Sequence, residues 1–330
     1  MSIPVDISEN YIREHYPEEM IILLLDRTTG ENIFWATDSY KAHKEGFQYN
    51  DQITYRHITG EFGKIIQPRA LKSRNEQAKR AKNMAEVFTP SWVCNLQNNL
   101  VDNVWFGRDN VFNIEYVDEE GVHRWTPVDG PIEFPAKTGK KSWKSYVRDL
   151  RLEITCGEGP YMVSRYDTVS GEYIPISHRI GFLDRKLRIV GEHTSRPKEW
   201  IEMAKDALKS SYGYEWQGDS LLLARESVFA SFIEYYEEKF NQAPPENDLR
   251  EVADIISWNI WQMDGLKMVV PNSCDKVYET DLFGETKRCS CPACEKGEYH
   301  GHIGIPCVIK NWWNPEGEQI IQFSSIIINL

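Results

Sequence analysis

Three acidic residues, each near the carboxyl end of an apolar stretch and each separated from the next by helix-length segments, constrain this 330-residue chain more than any other feature. They are Glu153 in "RLEITCGEGPYMVSRYD" (151–167), Glu215 in "YGYEWQGDSLLLARESV" (212–228) and Asp264 in "IISWNIWQMDGL" (255–266). Successive strands whose carboxyl ends line up make a ligand edge in α/β folds. Gly157 and Gly159 follow Glu153 in a turn, where they let a ligand approach the backbone closely, and a short apolar helix is expected to start near Pro160 with its amides facing that ligand. Thr155 lies in the same turn. A carboxylate ahead of such a turn repels a phosphate and attracts a cation such as an α-amino group or a sulfonium. Glu215 is placed to accept from ribose hydroxyls, Trp216 to stack on an adenine, and Asp264 to accept from an exocyclic adenine amine. Taken singly each acid reads as a helix cap or a solvated loop residue; their order joins them.

The flanking sequence sets the context. "MIILLLD" and "NIFWAT", separated by "RTTGE", predict a hairpin in the first 65 residues. Residues 64–82 carry Lys64, Arg69, Lys72, Arg74, Lys79, Arg80 and Lys82 against the single acid Glu76, a basic stretch of helical character. Beyond Pro90, apolar positions at Trp92, Val93, Leu96 and Leu100 predict an amphipathic helix. A second basic cluster, Lys137 to Arg151, directly precedes the glycine turn. Helices are expected over 196–210, 218–241 and 246–261. The net charge of −12 argues against a wholly basic, nucleic-acid-coating surface, although local patches remain. No apolar run approaches the roughly 20 residues that span a bilayer, and the acidic, polar N-terminus lacks the pattern of an export signal, so a cytoplasmic protein without a membrane partner is expected.

Four of the seven cysteines crowd into "CSCPACEKGEYHGHIGIPC" (289–307). Cys291 and Cys294 in C-x-x-C spacing, followed by His302 and Cys307, supply the four ligands of a tetrahedral structural zinc, with Cys289 and His300 as competing ligands.

Several stretches resemble adenine-specific DNA methyltransferases of restriction-modification systems. "AEVFTPSW" resembles their FTP motif and "LEITCGEGP" their D/E-P-x-C-G-x-G turn for S-adenosylmethionine, while "GYEWQGDSLLLAR" and "NIWQMDGL" are similar to their ribose-binding and adenine-reading segments. The similarity covers roughly residues 80–268. It implies that Phe88, Thr89 and Pro90 flank the methionine moiety, that Glu153, Thr155, Gly157 and Gly159 form the cofactor turn, and that Glu215 and Asp264 hold ribose and adenine. It also implies double-stranded DNA as substrate, contacted through the two basic clusters, and a restriction or specificity subunit as partner.

Two features depart from the family. More than 50 residues separate Gly159 from Glu215, so an insertion lies within 167–210. The N-P-P-Y or D-P-P-Y loop, whose acceptors take the protons of the target amine, is absent. The nearest candidate is "CVIKNWWNPEG" (307–317): Asn311 as acceptor with Trp312 or Trp313 as stacking platform, or alternatively a plain Asn-Pro turn with tryptophans packed on the core. The expected fold is α/β, with an N-terminal α+β extension (1–80), a Rossmann-like S-adenosylmethionine-dependent methyltransferase core (81–270) and a zinc-knuckle segment with final strands (271–330). The expected activity is methylation of adenine's exocyclic amine in DNA, the alternative a non-catalytic cofactor-binding or DNA-recognition subunit of such a system.

Overall fold

The computed structural model describes residues 12–328 apart from 13, 44, 85–88, 136–140, 277, 281–285, 315, 317 and 318. It is a mixed α/β structure, and no helix among the described residues is long and apolar enough to cross a membrane. A three-stranded parallel sheet lies at the centre in the order β3 (Arg151–Glu153), β4 (Ser211–Glu215), β5 (Ile260–Gln262). Separate antiparallel pairs are β1 (Asn113–Val117) with β2 (His123–Pro127), β6 (Tyr278–Thr280) with β7 (Thr286–Arg288), and β8 (Val308–Lys310) with β9 (Ile320–Gln322).

The first apolar run folds differently from its expectation. "MIILLLD" is not a strand: α1 spans Pro17–Leu24, with proline in its first turn and Glu18 and Glu19 beside it, both of which favour a helix start. "NIFWAT" forms only isolated bridges, Leu25 with Asn32 and Phe34 with Gln52, but the "RTTGE" turn between the two runs is present, closed by Asp26 accepting from the Thr28 and Thr29 amides. Within the basic stretch a single 3-10 turn (Arg69–Leu71) precedes α2 (Arg74–Met84). Pro90 precedes α3 (Ser91–Phe106), which Gly107 ends in the left-handed conformation at φ 73°. A short α4 (Trp143–Val147) leads into β3.

The long interval between β3 and β4 contains two helices, α5 (Phe182–His193) and α6 (Pro197–Lys209), which accounts for the expected insertion. Between β4 and β5 run α7 (Gly218–Phe240) and α8 (Glu246–Asn259), close to the expected bounds. Nearly all of α7 is buried, and its Arg225 donates to the carbonyls of Leu23, Leu25, Ser257 and Ile260, tying α1 and β5 to one helix. Residues paired across a sheet present their side chains to the same face. Tyr212, Tyr214 and Trp261 therefore share one face, packed under Cys307, Ile309 and Phe323, while the opposite face joins the main core of α5 to α8. Helices α9 (Pro292–Lys296) and α10 (Phe323–Ile328) complete the chain.

Candidate cofactor cleft and metal centre

A cleft of about 1400 Å³ opens at the carboxyl ends of β3 and β4. Glu153 closes β3 and Glu215 closes β4, and both lie in its wall although each is buried. The turn between them is held by backbone geometry. Cys156 N–H donates to the Tyr214 carbonyl at 2.8 Å, and Thr155, Gly157 and Gly159 all take positive φ. Thr155 does so at 46° without a glycine's freedom, so the turn carries backbone strain beside the cleft. Gly213 on β4 sits in a tight place: a side chain there would meet the Met162 methyl carbon at 3.0 Å and the Cys156 sulfur at 3.3 Å, so those side chains would have to shift by a few tenths of an ångström.

No helix follows Pro160. The amides expected to face a ligand are taken instead by Glu153, which accepts from Tyr161 N–H at 3.2 Å and Met162 N–H at 2.9 Å. Burial pushes the Glu153 carboxyl up to about 8, against the lowering effect of those two amides, and the neighbouring Glu215 carboxylate pushes in the same direction. Glu215 accepts from the amides of Gly157, Trp216 and Gln217, and burial raises its carboxyl too. Two desolvated carboxylates side by side form a site that a cation relieves and an anion aggravates.

Trp216 lies half-buried in the cleft wall, its ring nitrogen donating to the Tyr49 hydroxyl at 2.9 Å. Thr89 also lines the cleft and Pro90 starts α3 behind it; Phe88 lies outside the described residues. Asp264 is placed two residues beyond β5, where its carboxylate accepts from the Leu266 and Lys267 amides. Asp264 is buried in that turn, and Leu266 rather than Asp264 reaches the cleft.

The basic residues divide into two kinds. Arg80 and Lys72 are buried against Asp219 at 2.9 and 3.9 Å, and Tyr40 donates to the same carboxylate at 2.7 Å. Burial alone would raise Asp219, but Arg80 and Lys72 hold it below the usual carboxylate range. This cluster fixes α2 to the start of α7 and leaves Lys79 and Lys82 exposed at the cleft. In the second cluster, Arg148 pairs with Asp206, and Arg151 with Asp102 and Asp149; Lys137 and Lys140 lie outside the described residues.

The structure corrects two expectations. Asn311, Trp312 and Trp313 do not line the cleft. Trp312 donates to Asn259, the residue just before β5, and lies under Lys209, just before β4; Trp313 lies under Arg148, just before β3. The tryptophans therefore pack at the amino ends of the parallel strands, opposite the two carboxylates, and the Asn311 side chain closes a local turn by accepting from Trp313 N–H. Cys307 is no metal ligand either: it is fully buried in the core under the sheet, its sulfur 3.5 Å from the Gln262 carbonyl.

The fourth ligand position is filled by Cys274, 17 residues upstream of Cys291, which sequence spacing within 289–307 could not reveal. The ligand atoms of Cys274, Cys291, Cys294 and His302 lie within 4.8 Å of one another. His302 Nδ1 is 3.6 Å from the Cys291 sulfur and 3.5 Å from the Cys294 sulfur, close to the roughly 3.5 Å nitrogen–sulfur edge of a tetrahedron with metal–nitrogen bonds of about 2.0 Å and metal–sulfur bonds of about 2.3 Å. Cys289 and His300 stand outside this group. Three cysteines and a histidine in this arrangement can hold a metal such as zinc. The centre adjoins the Asp264 turn: Lys267, which reaches Asp264 at 3.7 Å, also hydrogen-bonds the Cys294 sulfur.

Comparison with models of protein families, with curated proteins and with solved structures returns no match for this chain.

Proposed function

We propose that this chain is the S-adenosylmethionine-binding component of a DNA methyltransferase of restriction-modification type, acting on the exocyclic amine of adenine. The observation that carries the reading is the pair of buried carboxylates, Glu153 and Glu215, ending adjacent parallel strands in one cleft wall. Their desolvation favours a cationic ligand over a nucleotide phosphate. The resemblance of residues 80–268 to adenine-specific methyltransferases supplies the identity of that cation, a sulfonium with an α-amino group.

In this reading Glu153 faces the cationic end of the cofactor, Glu215 the ribose hydroxyls and Trp216 the adenine ring, while Asp264 acts by shaping the turn that brings Leu266 to the cleft. The bound cofactor would supply an electrophilic methyl group, leaving as the neutral thioether. Thr89 lies on the same wall, as the FTP resemblance requires. Exposed Lys79 and Lys82 at the cleft give a DNA phosphate its contacts. The cysteine–histidine centre would hold a structural zinc, with all four positions filled by protein.

A specific observation favours the non-catalytic alternative for the chain on its own. Its nearest substitute for the methyl-acceptor loop sits at the opposite end of the sheet. Equilibrium binding of radiolabelled S-adenosylmethionine, with ATP as an anionic control, tests the reading. Retention of the sulfonium ligand but not ATP supports it, and Glu215→Ala is expected to abolish retention. Failure of the wild-type chain to bind refutes both the enzyme and the cofactor-subunit forms.

A further inference from the structure

Helix α3 is built inside out. Its buried face consists of Ser91, Cys94, Asn95, Asn98, Asp102 and Phe106, mostly polar, and those groups are satisfied. Asn98 donates to the carbonyls of Tyr161 and Ile180, and Asp102 accepts from Tyr146, Arg151 and Arg185. The opposite face carries Val93, Leu96, Leu100 and Val104 at the three- and four-residue spacing that defines one side of a helix. Leu100 is 58% exposed and Val104 81%. A helix normally turns its apolar stripe inward and its asparagines outward.

Beside α3 runs β3, an end strand of the parallel sheet with no strand on its outer edge among the described residues. Leu152 on the strand and Leu150 and Ile154 immediately before and after it are 43%, 63% and 64% exposed. The C-terminal segment that covers Tyr212, Tyr214 and Trp261 on this face stops short of them. Parallel sheets are ordinarily covered on both faces, and an exposed apolar edge is a template for another strand. The two elements are neighbours, joined by Arg151 and Asp102 at 3.2 Å, and half-exposed Val101 at the side of the α3 stripe lines the same cleft as Leu152 and Ile154.

We propose that a separate polypeptide adds a strand to the outer edge of β3 and packs an apolar surface on the α3 stripe. Together the exposed apolar side chains offer on the order of 700 Å², close to the roughly 800 Å² per partner of a stable interface and above the few hundred Å² usual on a monomer. Charge narrows the occupant. Lys141 and Lys144 are exposed beside the amino end of β3, and neither α3 nor β3 has an exposed acid. The matching partner has an apolar centre and an acidic rim, which excludes nucleic acid at the centre. A second copy docked symmetrically through the same patch presents the same basic rim and no acidic complement to it. A strand parallel to β3 would end beside Glu153, at the open side of a cleft too large for a nucleoside alone. In that respect the proposal rests on the methyltransferase reading: the partner's strand end is where the missing acceptor loop would enter.

The experiment separates association from chemistry. A photoreactive benzoylphenylalanine is placed at Val104, at Leu152 and, as a remote control, at exposed Ile21 of α1 in the full chain, expressed in its cell of origin. One protein is expected to crosslink from the first two positions and not from the third. That protein, made separately and titrated against the purified full chain, is expected to bind, to slow exchange of the Leu152 amide, and to lose affinity on the order of 100-fold with Leu100→Asp plus Val104→Asp, two buried apolar contacts removed. The proposal is overturned if no chain crosslinks from both positions, or if the purified chain is a dimer that this double substitution dissociates. It is also overturned if the same substitution abolishes binding to duplex DNA with no protein partner present. Association without methyl transfer would leave the interface standing and refute only the reading of what the partner supplies.

Discussion

Replacing Glu153 with glutamine should flatten part of the chain's pH–stability profile. In the folded chain burial holds this carboxyl at about 8, against an ordinary value of 4.5. Between those two values the folded state keeps a proton that the unfolded state has lost, so stability falls as pH rises. The contribution is about 1.4 kcal/mol per pH unit, or about 5 kcal/mol if the whole window is crossed. It is fully present below pH 4.5, is lost as pH approaches 8, and changes no further above 8. Glutamine retains one acceptor for the Met162 amide and loses the other, a pH-independent cost of about 1 to 2 kcal/mol. The difference in stability between Glu153→Gln and wild type should therefore drift in favour of the variant from pH 5.5 to 7.5. Urea denaturation at half-unit pH steps reads this as a relative midpoint shift of about 0.5 M per pH unit at a slope of about 3 kcal/mol/M. Parallel midpoint curves, or wild type gaining on the variant as pH rises, would show that Glu153 is not a desolvated carboxylate and would remove the basis for a cation site.

Other perturbations probe separate parts of the structure. Cys274→Ser should lower bound zinc in the purified chain, whereas Cys307→Ser should leave metal content unchanged and cost only core packing; the reverse result would restore the spacing-based assignment. Asp219→Ala strands Arg80 and Lys72 without their carboxylate and should cost about 3 to 5 kcal/mol in denaturant unfolding. A loss under 1 kcal/mol would mean that α2 is not held by that cluster. Trp312→Phe removes a hydrogen bond to Asn259 and part of the ring packed on the core beneath Lys209 and Lys310, together about 1 to 3 kcal/mol, and should leave cofactor affinity unchanged in a direct titration.

The parts legible in the sequence were those with a strong local period or an ordered series of signals. Helices α6, α7 and α8 announced themselves through apolar spacing and through Pro197 and Pro245 at their starts, and the acids Glu153 and Glu215 do end neighbouring parallel strands. "MIILLLD" was ambiguous because a seven-residue apolar run fits either period, and Pro17 with two following glutamates decides for helix. The roles of the acids were less legible than their positions. Glu153 and Asp264 cap their own loops through backbone amides, and Glu215 caps both its own loop and the Gly157 turn, which no side-chain pattern encodes. Cys274 joins the metal centre through a fold contact, and its separation from the knuckle hid it. The inverted polarity of α3 was present in the residues: Asn95, Asn98 and Asp102 fall on one face and Leu96, Leu100 and Val104 on the other, but only packing reveals which face is covered.

The central claim is that the Glu153–Glu215 wall receives the cation of S-adenosylmethionine. Calorimetric titration of the wild-type chain with S-adenosylmethionine at pH 7.0, in two buffers of different ionisation heat, tests it most directly. A carboxyl held at about 8 is protonated before binding and must lose its proton to meet the sulfonium. Saturable binding is expected, with release of close to one proton per ligand at pH 7.0, none at pH 9.5, and none at either pH in Glu153→Gln. No binding, or binding with no proton release at pH 7.0, would contradict it.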